Sequence, residues 1–342
     1  MKVLLYTEFE KALSKSGLGK AIRHQMRALE ENGIPYTTSP KDAHDLIHIN
    51  YYGLKSYRLA KKEHRRGGKV VYHAHSTEED FRNSFVFSNL IAPLFKKWIC
   101  KCYRTGDVII TPTPYSKRLL EGYGLKNIVA LSNGIDLEFF RPDKAAGEEF
   151  RAKYGFKPED KVVLGIGLYL KRKGILDFVE LAKQLPRYKF IWFGYTNPAL
   201  VPRNIRKAVK TKLPNLQFPG YVEPSEIMRA MNGADVYLFP TYEETEGIPA
   251  LEACACGQRL LVRNIPVFSG WLEDGVNAYM ADSVDGFRDK LCGILEGELP
   301  DLTAAAMSVA QSREIHKVGR ELIEVYRGVL GNNAGVCRSF PQ

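Results

Sequence analysis

The feature that most constrains the fold is a repeated alternation of short apolar runs with helix-like segments. In the first half, the strand-like runs are KVLLYTE, DLIHIN, VVYHAHS and DVIITP, and GLGKAIRHQMRALEENG has helical apolar spacing. The same alternation begins again with the strand-like run VVLGIGL and continues through YKFIWFG, LQFPGYV, DVYLFP and RLLVRN. Strands that alternate with helices predict parallel sheets covered on both faces. We therefore predict an α/β fold with two Rossmann-like, doubly wound domains facing each other across a cleft, where ligands would bind.

The 342-residue chain is long enough for two separate cores. The segment 131–161 is rich in charge and contains two prolines, and we interpret it as the connection between the domains. We place an N-terminal domain at 1–142 and a C-terminal domain at 143–312. A last helix, at about 313–330, is expected to pack back on the N-terminal domain.

The cysteines form no array typical of a zinc site, so we expect packed, reduced thiols. The six are Cys100, Cys102, Cys254, Cys256, Cys292 and Cys337. The first residues, MKVLLYTEFE, are typical of a strand rather than of a signal peptide. No apolar run approaches the ~20 residues of a membrane-spanning helix. We expect a cytoplasmic protein, with any membrane contact at its surface.

The net charge of +10 is concentrated in the first half of the sequence. Residues 1–143 contain 23 Lys and Arg against 15 Asp and Glu, a balance of +8, and the remainder has a balance of +2. Such an asymmetry indicates that the first half meets a polyanion. Nucleic acid, an anionic membrane surface and a phosphorylated substrate are the candidates, and no nucleic-acid-binding motif occurs.

The stretch FPTYEETEGIPALEACACG places carboxylates around the start of a predicted helix. Glu244 lies in the loop that follows a strand, and Glu252 lies eight residues further on, inside the helix. Carboxylates accept hydrogen bonds from vicinal hydroxyls such as those of a ribose or a hexose. The amides of Gly247 and Ile248 precede the helix, where unpaired N–H groups favour an anion. Together these features predict a nucleotide-sugar pocket.

This Glu-x7-Glu arrangement resembles that of the retaining glycosyltransferases of family 4, which have the two-Rossmann GT-B fold. Further resemblances follow in the family's order: SGLGKAIRHQMRAL, VVYHAHS, LSNGIDLEFFRP, GLYLKRKG and LEDGVNAY. Within the family, EETEGIPALEA and LVRNIPVFSGWLEDGVNAY resemble the bacterial glycosyltransferases that add the second sugar to monoglucosyl-diacylglycerol. These enzymes make the diglycosyl anchor of lipoteichoic acid.

The resemblance implies roles for individual residues. Glu244, His75 and Lys173 would be catalytic. The donor-binding set would comprise Gly17, Gly19, Gly167, Arg172, Lys173, Glu244, Gly247, Ile248 and Glu252. Two positions depart from the family: Leu168 replaces an arginine, and Glu246 replaces a frequent phenylalanine. The chain has no Asp-x-Asp triplet, and Lys and Arg would neutralise the diphosphate. We therefore expect no cofactor and no obligatory metal.

A basic, apolar segment, NLIAPLFKKWICKCYR at 89–104, is the candidate for the membrane and the acceptor. Lys96, Lys97, Trp98 and Lys101 are its candidate contacts, since lysines beside a tryptophan and an apolar stripe are typical of an interfacial helix. The alternative is a helix that packs on the domain core with a solvated basic face. The basic cluster RLAKKEHRRGGK, at 58–69, adds to the same asymmetry.

The leading hypothesis is a retaining glycosyltransferase that moves glucose or galactose from a UDP-hexose to glucosyl-diacylglycerol. It would act as a peripheral protein on the inner face of the cell membrane. Two alternatives stay open. The acceptor could be a soluble or polyprenyl-linked envelope glycan. Alternatively, the chain could be a non-catalytic lipid-binding or scaffold protein on the same fold, for which Leu168 is the one supporting feature.

Overall fold

The computed structural model describes residues 1–9 and 17–331, so Cys337 lies outside the described residues. The strands along the chain are β1 (Val3–Tyr6), β2 (Tyr36–Thr37), β3 (Leu46–Ile49), β4 (Lys69–His73), β5 (Val108–Thr111), β6 (Ile128–Ala130), β7 (Val162–Ile166), β8 (Lys189–Phe193), β9 (Leu216–Gly220), β10 (Val236–Phe239), β11 (Leu260–Arg263) and β12 (Tyr279–Ala281).

The α-helices among the described residues are α1 (Gly17–Glu31), α2 (Leu54–Arg65), α3 (Glu78–Phe81), α4 (Ser88–Tyr103), α5 (Pro114–Gly122), α6 (Lys144–Tyr154), α7 (Ile175–Gln184), α8 (Arg203–Val209), α9 (Pro224–Gly233), α10 (Ile248–Ala255), α11 (Val284–Leu295), α12 (Thr303–Ser312) and α13 (Ile315–Leu330). In this part of the chain, no helix combines the length and the apolar character that crossing a membrane requires.

The chain divides into two compact units. Of the described residues, the first unit comprises 1–9, 17–79, 90–134 and 313–331, and the second comprises Asp80–Asn89 and Ile135–Ser312. The second unit therefore includes a short segment from the first third of the sequence. The domain limits expected from the sequence, 1–142 and 143–312 with a last helix at about 313–330, stay a prediction.

The first unit contains a six-stranded parallel sheet in the order β2-β1-β3-β4-β5-β6. One face packs against α13, whose Leu322 and Tyr326 are buried against Val3 and Leu5. The other face is covered by α2 and α4 and has its own apolar core. The strand order reverses between β1 and β3, and the carboxyl ends of strands at such a reversal are where doubly wound sheets bind ligands.

The second unit contains a six-stranded parallel sheet in the order β12-β11-β10-β7-β8-β9. This is the classical dinucleotide-fold order, with the reversal between β7 and β10. Its core includes Phe178, Phe190 and Trp192, whose rings meet edge to face. The predicted α/β fold with two Rossmann-like domains is confirmed.

The segment expected to connect the domains contributes a helix to the second unit. Asp143 accepts a hydrogen bond from the Ala146 amide at 3.0 Å and caps the start of α6. Gly155 ends the helix in a left-handed conformation, with φ +71°. Phe150 is fully buried and α6 packs against α9. The charges and Pro142 concealed this helix, because its apolar face is narrow.

Candidate active site

The predicted donor residues of the second unit lie where its strand order reverses. The loop after β7 ends at Gly174 (φ +76°), whose added Cβ would lie 2.2 Å from the Pro240 carbonyl oxygen at the end of β10. A side chain there would push the two loops apart, so glycine permits their close approach. Residues 171–173 form a short 3-10 turn in the first loop, and the second loop carries Glu244. Two motifs 71 residues apart thus meet at one edge of the sheet.

Lys173 and Glu244 form a buried ion pair at this edge. The Thr241 hydroxyl donates a hydrogen bond of 2.8 Å to the same Glu244 carboxylate. Burial raises the pKa of Glu244, but the Lys173 and Arg172 cations outweigh burial and hold the pKa below its usual value. Burial lowers the pKa of Lys173 despite the adjacent carboxylate. The pair presents a hydroxyl acceptor and a cation side by side.

Arg172 contacts a residue that the sequence analysis missed. Its guanidinium forms an ion pair with Asp80 at 2.9 Å and donates to the Ser84 hydroxyl at 2.8 Å and to the Glu243 carbonyl at 3.1 Å. Burial raises the pKa of Asp80; the cation of Arg172 opposes this effect, while the carboxylate of Glu244 adds to it. The cluster therefore contains two cations and two carboxylates. In the sequence, Asp80 ends an acidic triplet that could have drawn attention to it. Sequence spacing alone, however, does not connect this triplet to Arg172.

Gly247 and Ile248 lie at the start of α10, as predicted. Gly247 has φ +91°, and an added Cβ would lie 3.1 Å from the Phe239 ring and 3.2 Å from the Phe268 ring. Ile248 is the first residue of the helix, so the backbone amides of both residues belong to its N-terminal end. The backbone conformation and the two rings together explain why glycine occupies position 247.

Glu252 and Glu246 are both buried, and Glu252 is fully so. The hydroxyl of Tyr237, on β10, is buried and has no hydrogen-bond partner among the described residues. Burial raises the pKa of Tyr237 well above its usual value, and the carboxylates of Glu252 and Glu244 add to the effect. Glu252 thus lies within electrostatic reach of the same buried edge as Glu244. Its predicted role at the ribose stays a prediction.

Gly167 follows β7, and its carbonyl accepts a 2.8 Å hydrogen bond from the Trp192 indole. Gly194, after the neighbouring strand, has φ +146°, and an added Cβ would lie 1.8 Å from that same carbonyl oxygen. Sequence analysis missed Gly194, although glycine is required there. Leu168 packs against the apolar core of the unit. The position that carries an arginine in the family therefore supplies packing instead of charge.

The first unit holds His75 in a buried network of polar side chains. Its Nε2 lies 2.9 Å from Asn50 Oδ1, and Gln25 Nε2 donates to the same oxygen at 2.9 Å. The ring of His73, which the sequence analysis left out, stacks on His75 with centroids 3.9 Å apart. His48 Nε2 lies 3.2 Å from His73 Nδ1. Three imidazoles therefore lie together at the carboxyl ends of β3 and β4.

A hydrogen bond to an amide oxygen assigns the tautomer of His75. The Tyr326 hydroxyl, whose pKa burial raises far above neutrality, lies 2.7 Å from His48 Nδ1 and can donate to that nitrogen or accept from it. Asn50 Oδ1 accepts from His75 Nε2, which leaves Nδ1 as the acceptor of His75. Burial lowers the pKa of His48 and of His75 to about 3 and lowers that of His73 as well. All three rings are therefore neutral at neutral pH.

Gly17 and Gly19 lie in the first turn of α1, in the first unit. Gly17 is exposed, and an added Cβ would meet nothing within 4 Å, whereas Gly19 is buried. The structure thus places these glycines and His75 in one unit and the remaining predicted donor residues in the other.

The apolar residues of the predicted membrane helix, α4, divide between the core and the surface. Ile99 and Cys102 are buried in the core, whereas Leu90, Ile91 and Leu94 are exposed. The apolar stripe expected from the sequence thus supplies core residues in the C-terminal half of α4 and exposed residues in its N-terminal half. Cys100, Cys102, Cys254 and Cys256 are buried free thiols and Cys292 is a partly buried one, as expected.

The four residues of α4 that were predicted to contact the membrane or the acceptor differ in how exposed their side chains are. Trp98 is partly buried and its indole donates to the Tyr52 carbonyl at 2.7 Å. Lys96 pairs with Glu78 at 3.2 Å and lies over the Tyr123 ring. Lys97 and Lys101 are exposed. The accessible features of α4 are thus these last two lysines and the leucine-rich N-terminal half.

Comparison with known proteins agrees with this arrangement. Residues 17–139 match the model of Glycosyltransferase Family 4, and residues 147–308 match that of Glycosyl transferases group 1. The processive diacylglycerol alpha-glucosyltransferase of Acholeplasma laidlawii is 41% identical over 332 residues, which cover 96% of this chain and 99% of that protein. The alpha-galactosylglucosyldiacylglycerol synthase of Streptococcus pneumoniae is 24% identical over 75% of this chain and 70% of that protein.

Solved structures share the fold at low sequence identity. Sucrose-phosphate synthase from Thermosynechococcus elongatus has a TM-score of 0.79 at 15% identity, covering 97% of this chain and 100% of that chain. Anabaena HepE, in complex with UDP-glucose, has a TM-score of 0.76 at 16% identity, covering 96% and 100%. Two Rossmann-like domains, the two family matches and the 41% identical relative together identify a GT-B glycosyltransferase. The chain belongs to the family 4 glycosyltransferases.

Proposed function

We propose that this enzyme transfers glucose or galactose, with retention of configuration, from a UDP-hexose to glucosyl-diacylglycerol. The observation that carries the proposal is the buried Lys173–Glu244 pair beside Arg172 at the strand reversal of the second unit. A diphosphate needs cations and a hexose needs hydroxyl acceptors, and this edge supplies both within one cluster.

Each predicted residue has a definite task in this proposal. Lys173 and Arg172 stabilise the charge that grows on the departing UDP, and the amides at the start of α10 face its phosphates. Glu244 accepts hydrogen bonds from the transferred sugar and Glu252 from the ribose. Because fixed cations and helix amides neutralise the diphosphate, we propose that no metal is obligatory.

The remaining predicted contacts come from the first unit. Gly17 and Gly19 let the backbone approach the donor phosphates, since neither carries a side chain. His75 binds the sugar or positions the acceptor, and its free Nδ1 acts there as a hydrogen-bond acceptor. This ring is neutral, so it adds no charge to the site.

The proposed chemistry needs no covalent intermediate. The bond between the anomeric carbon and the β-phosphate oxygen breaks, and the acceptor hydroxyl oxygen forms its new bond on the same face of the sugar. The departing phosphate oxygen takes the proton of that hydroxyl, and UDP leaves. Lys173 and Arg172 stabilise this step because the charge on the phosphate increases as the bond breaks.

The names of the two glycolipid-synthesising relatives support a diacylglycerol-linked acceptor. The identity of 41% over nearly the whole length makes the Acholeplasma laidlawii protein the stronger support, and its name favours glucose as the sugar. The decisive experiment presents vesicles containing diacylglycerol or glucosyl-diacylglycerol with each UDP-hexose and resolves the lipid products. Absence of a diglycosyl lipid with every donor would refute the acceptor and favour a soluble or polyprenyl-linked glycan.

We further propose that the exposed part of α4 holds the enzyme on the inner face of the membrane as a peripheral protein. Leu90, Ile91 and Leu94 would enter the headgroup region beside Lys97 and Lys101. Replacing Leu90 and Leu94 by serine should reduce flotation with anionic vesicles. The same change at Leu54, which is also exposed on the first unit, serves as the control. Equal flotation of all three proteins would refute this contact.

A further inference from the structure

The second unit carries a basic surface on α8 that none of the activities above uses. Four of its cations are exposed side chains on or directly after this helix: Arg203, Arg206, Lys207 and Lys210. They line a surface groove of about 650 Å³ together with Thr211. Among the described residues, none forms an ion pair with these four, although many charged side chains elsewhere in the unit are paired.

An apolar rim adjoins this basic surface. A second groove, of about 480 Å³, shares Arg203 and Arg206 and is also lined by Phe85, Val86 and Phe87. Phe87 is 72% exposed and Leu200, beside this groove, is 51% exposed. The Val86 amide donates to the Leu200 carbonyl at 3.1 Å, which joins the two segments. Exposed aromatic and aliphatic side chains thus lie next to unpaired cations.

The backbone at Phe87 points to a role outside folding. This residue has φ +64°, a conformation that a bulky non-glycine side chain rarely adopts. The Ser88 amide donates to the Phe85 carbonyl at 3.1 Å and closes the turn. Because Phe87 is exposed, the apolar surface that it buries does little to offset the strain of the turn. Such strain is typical of functional positions.

We propose that this surface, residues 85–87 with Leu200 and the basic side of α8, is a second membrane site that binds anionic phospholipid. The cations would bind the phosphate of the headgroups, and the phenylalanine would enter the interface, as in other interfacial segments. Charge complementarity favours this partner, because the lining residues carry several positive charges and none is acidic. The site adjoins the start of α4, whose Ser88 and Asn89 also line the second groove, and it does not depend on the proposed acceptor.

The test compares two variants of equal net charge in vesicle flotation. The first replaces Arg203, Arg206 and Lys207 by glutamine. The control replaces Lys144, Lys157 and Lys161, exposed lysines elsewhere in the same unit, by glutamine. Binding of the first variant to phosphatidylcholine vesicles containing phosphatidylglycerol should weaken about 100-fold, since each basic residue at such a surface contributes roughly a factor of five. The control should bind like the wild type.

Two further measurements test the role of Phe87 and the independence of this surface from the donor site. Phe87→Asn should weaken binding to the same vesicles without lowering the melting temperature, because asparagine tolerates this backbone conformation better. UDP binding measured by calorimetry should be unchanged in every variant, which separates this site from the donor site. Equal vesicle binding by the patch and control variants would overturn the proposal. Loss of duplex DNA binding with vesicle binding intact would overturn it in favour of a nucleic-acid surface.

Discussion

Asp80 forms a 2.9 Å ion pair with Arg172, although the two residues are 92 positions apart in the sequence. The segment that carries Asp80 belongs to the second unit, and its Ser84 hydroxyl accepts a further hydrogen bond from the same guanidinium. The pair fixes the orientation of Arg172 beside Lys173. It also neutralises a cation to which we assign the donor diphosphate, so in the proposed site the carboxylate and the diphosphate would compete for one guanidinium.

Removing the charge of Asp80 should therefore strengthen nucleotide binding. We expect Asp80→Asn to lower the Kd for UDP about tenfold, because a single charge within a few ångströms is worth at least that factor. Arg172→Gln should raise the Kd by a similar factor. Isothermal calorimetry with UDP measures both, and weaker binding by Asp80→Asn would contradict the proposed competition.

The buried pair of Lys173 and Glu244 predicts opposite outcomes for stability and activity. Lys173→Met leaves a buried carboxylate unpaired and should cost about 3 kcal/mol of unfolding free energy. Adding Glu244→Gln should restore most of the stability and none of the turnover. Lys183→Met is the control, since Lys183 and its partner Glu180 are both about half exposed and the change should cost under about 1 kcal/mol. Recovery of turnover in the double variant would show that the pair is only structural.

The histidine cluster predicts acid sensitivity of the first unit. His48, His73 and His75 have pKa values lowered by burial from 6.5, to about 3 for His48 and His75. The unfolded chain therefore binds more protons than the folded one below pH 6.5. The stabilisation is complete above that pH and is lost as the pH falls towards 3. Three such groups give a slope that approaches about 4 kcal/mol per pH unit.

Urea unfolding at a series of pH values between 7 and 5 measures this slope. A His48→Asn variant should lose about a third of it, whatever its absolute stability. His64→Gln, at a partly exposed ring outside the cluster, should keep the full slope. A slope that is the same in all three proteins would contradict neutral, buried imidazoles.

Two constraints at Gly247, its left-handed backbone and the aromatic rings beside it, can be tested separately. Gly247→Ala meets both a left-handed backbone and the rings of Phe239 and Phe268, whereas Gly270→Ala, at φ +87°, has nothing within 4 Å of the added Cβ. We expect Gly270→Ala to cost about 1 kcal/mol. Gly247→Ala should cost about 1–3 kcal/mol more and should also reduce turnover, because the start of α10 must shift. Equal thermal stabilities for the two variants would show that the rings move aside.

The sequence was most informative where chemistry and local structure coincide in one motif. Glu244 and Lys173 were predicted separately, Glu244 from the carboxylates around a helix start and Lys173 from the resemblance of GLYLKRKG to a segment of the family. The parallel sheet then brings them together, because adjacent strands end at the same edge. The glycine at position 247 follows from the same local geometry.

Contacts between residues that are far apart in the sequence could not be predicted from local sequence patterns. The relevance of Asp80 to the site depends on its ion pair with Arg172, and no sequence spacing predicts that contact. His73 was omitted although it lies two positions before His75, because its importance depends on stacking with His75 and on contact with His48 from another strand. On α4, helical periodicity found the apolar residues but could not divide them between the core and the surface, since both sets share one spacing.

The most direct test of the central claim is the initial rate of glycolipid formation by wild type, Glu244→Gln and Glu148→Gln. Each enzyme is supplied with UDP-glucose or UDP-galactose and with vesicles of phosphatidylglycerol and glucosyl-diacylglycerol. We expect diglycosyl-diacylglycerol from wild type and from Glu148→Gln, whose carboxylate is exposed on α6. We expect at least a 100-fold lower rate from Glu244→Gln, since a charged hydroxyl acceptor in the transition state is lost. A rate for Glu244→Gln equal to that of wild type would contradict the proposed site.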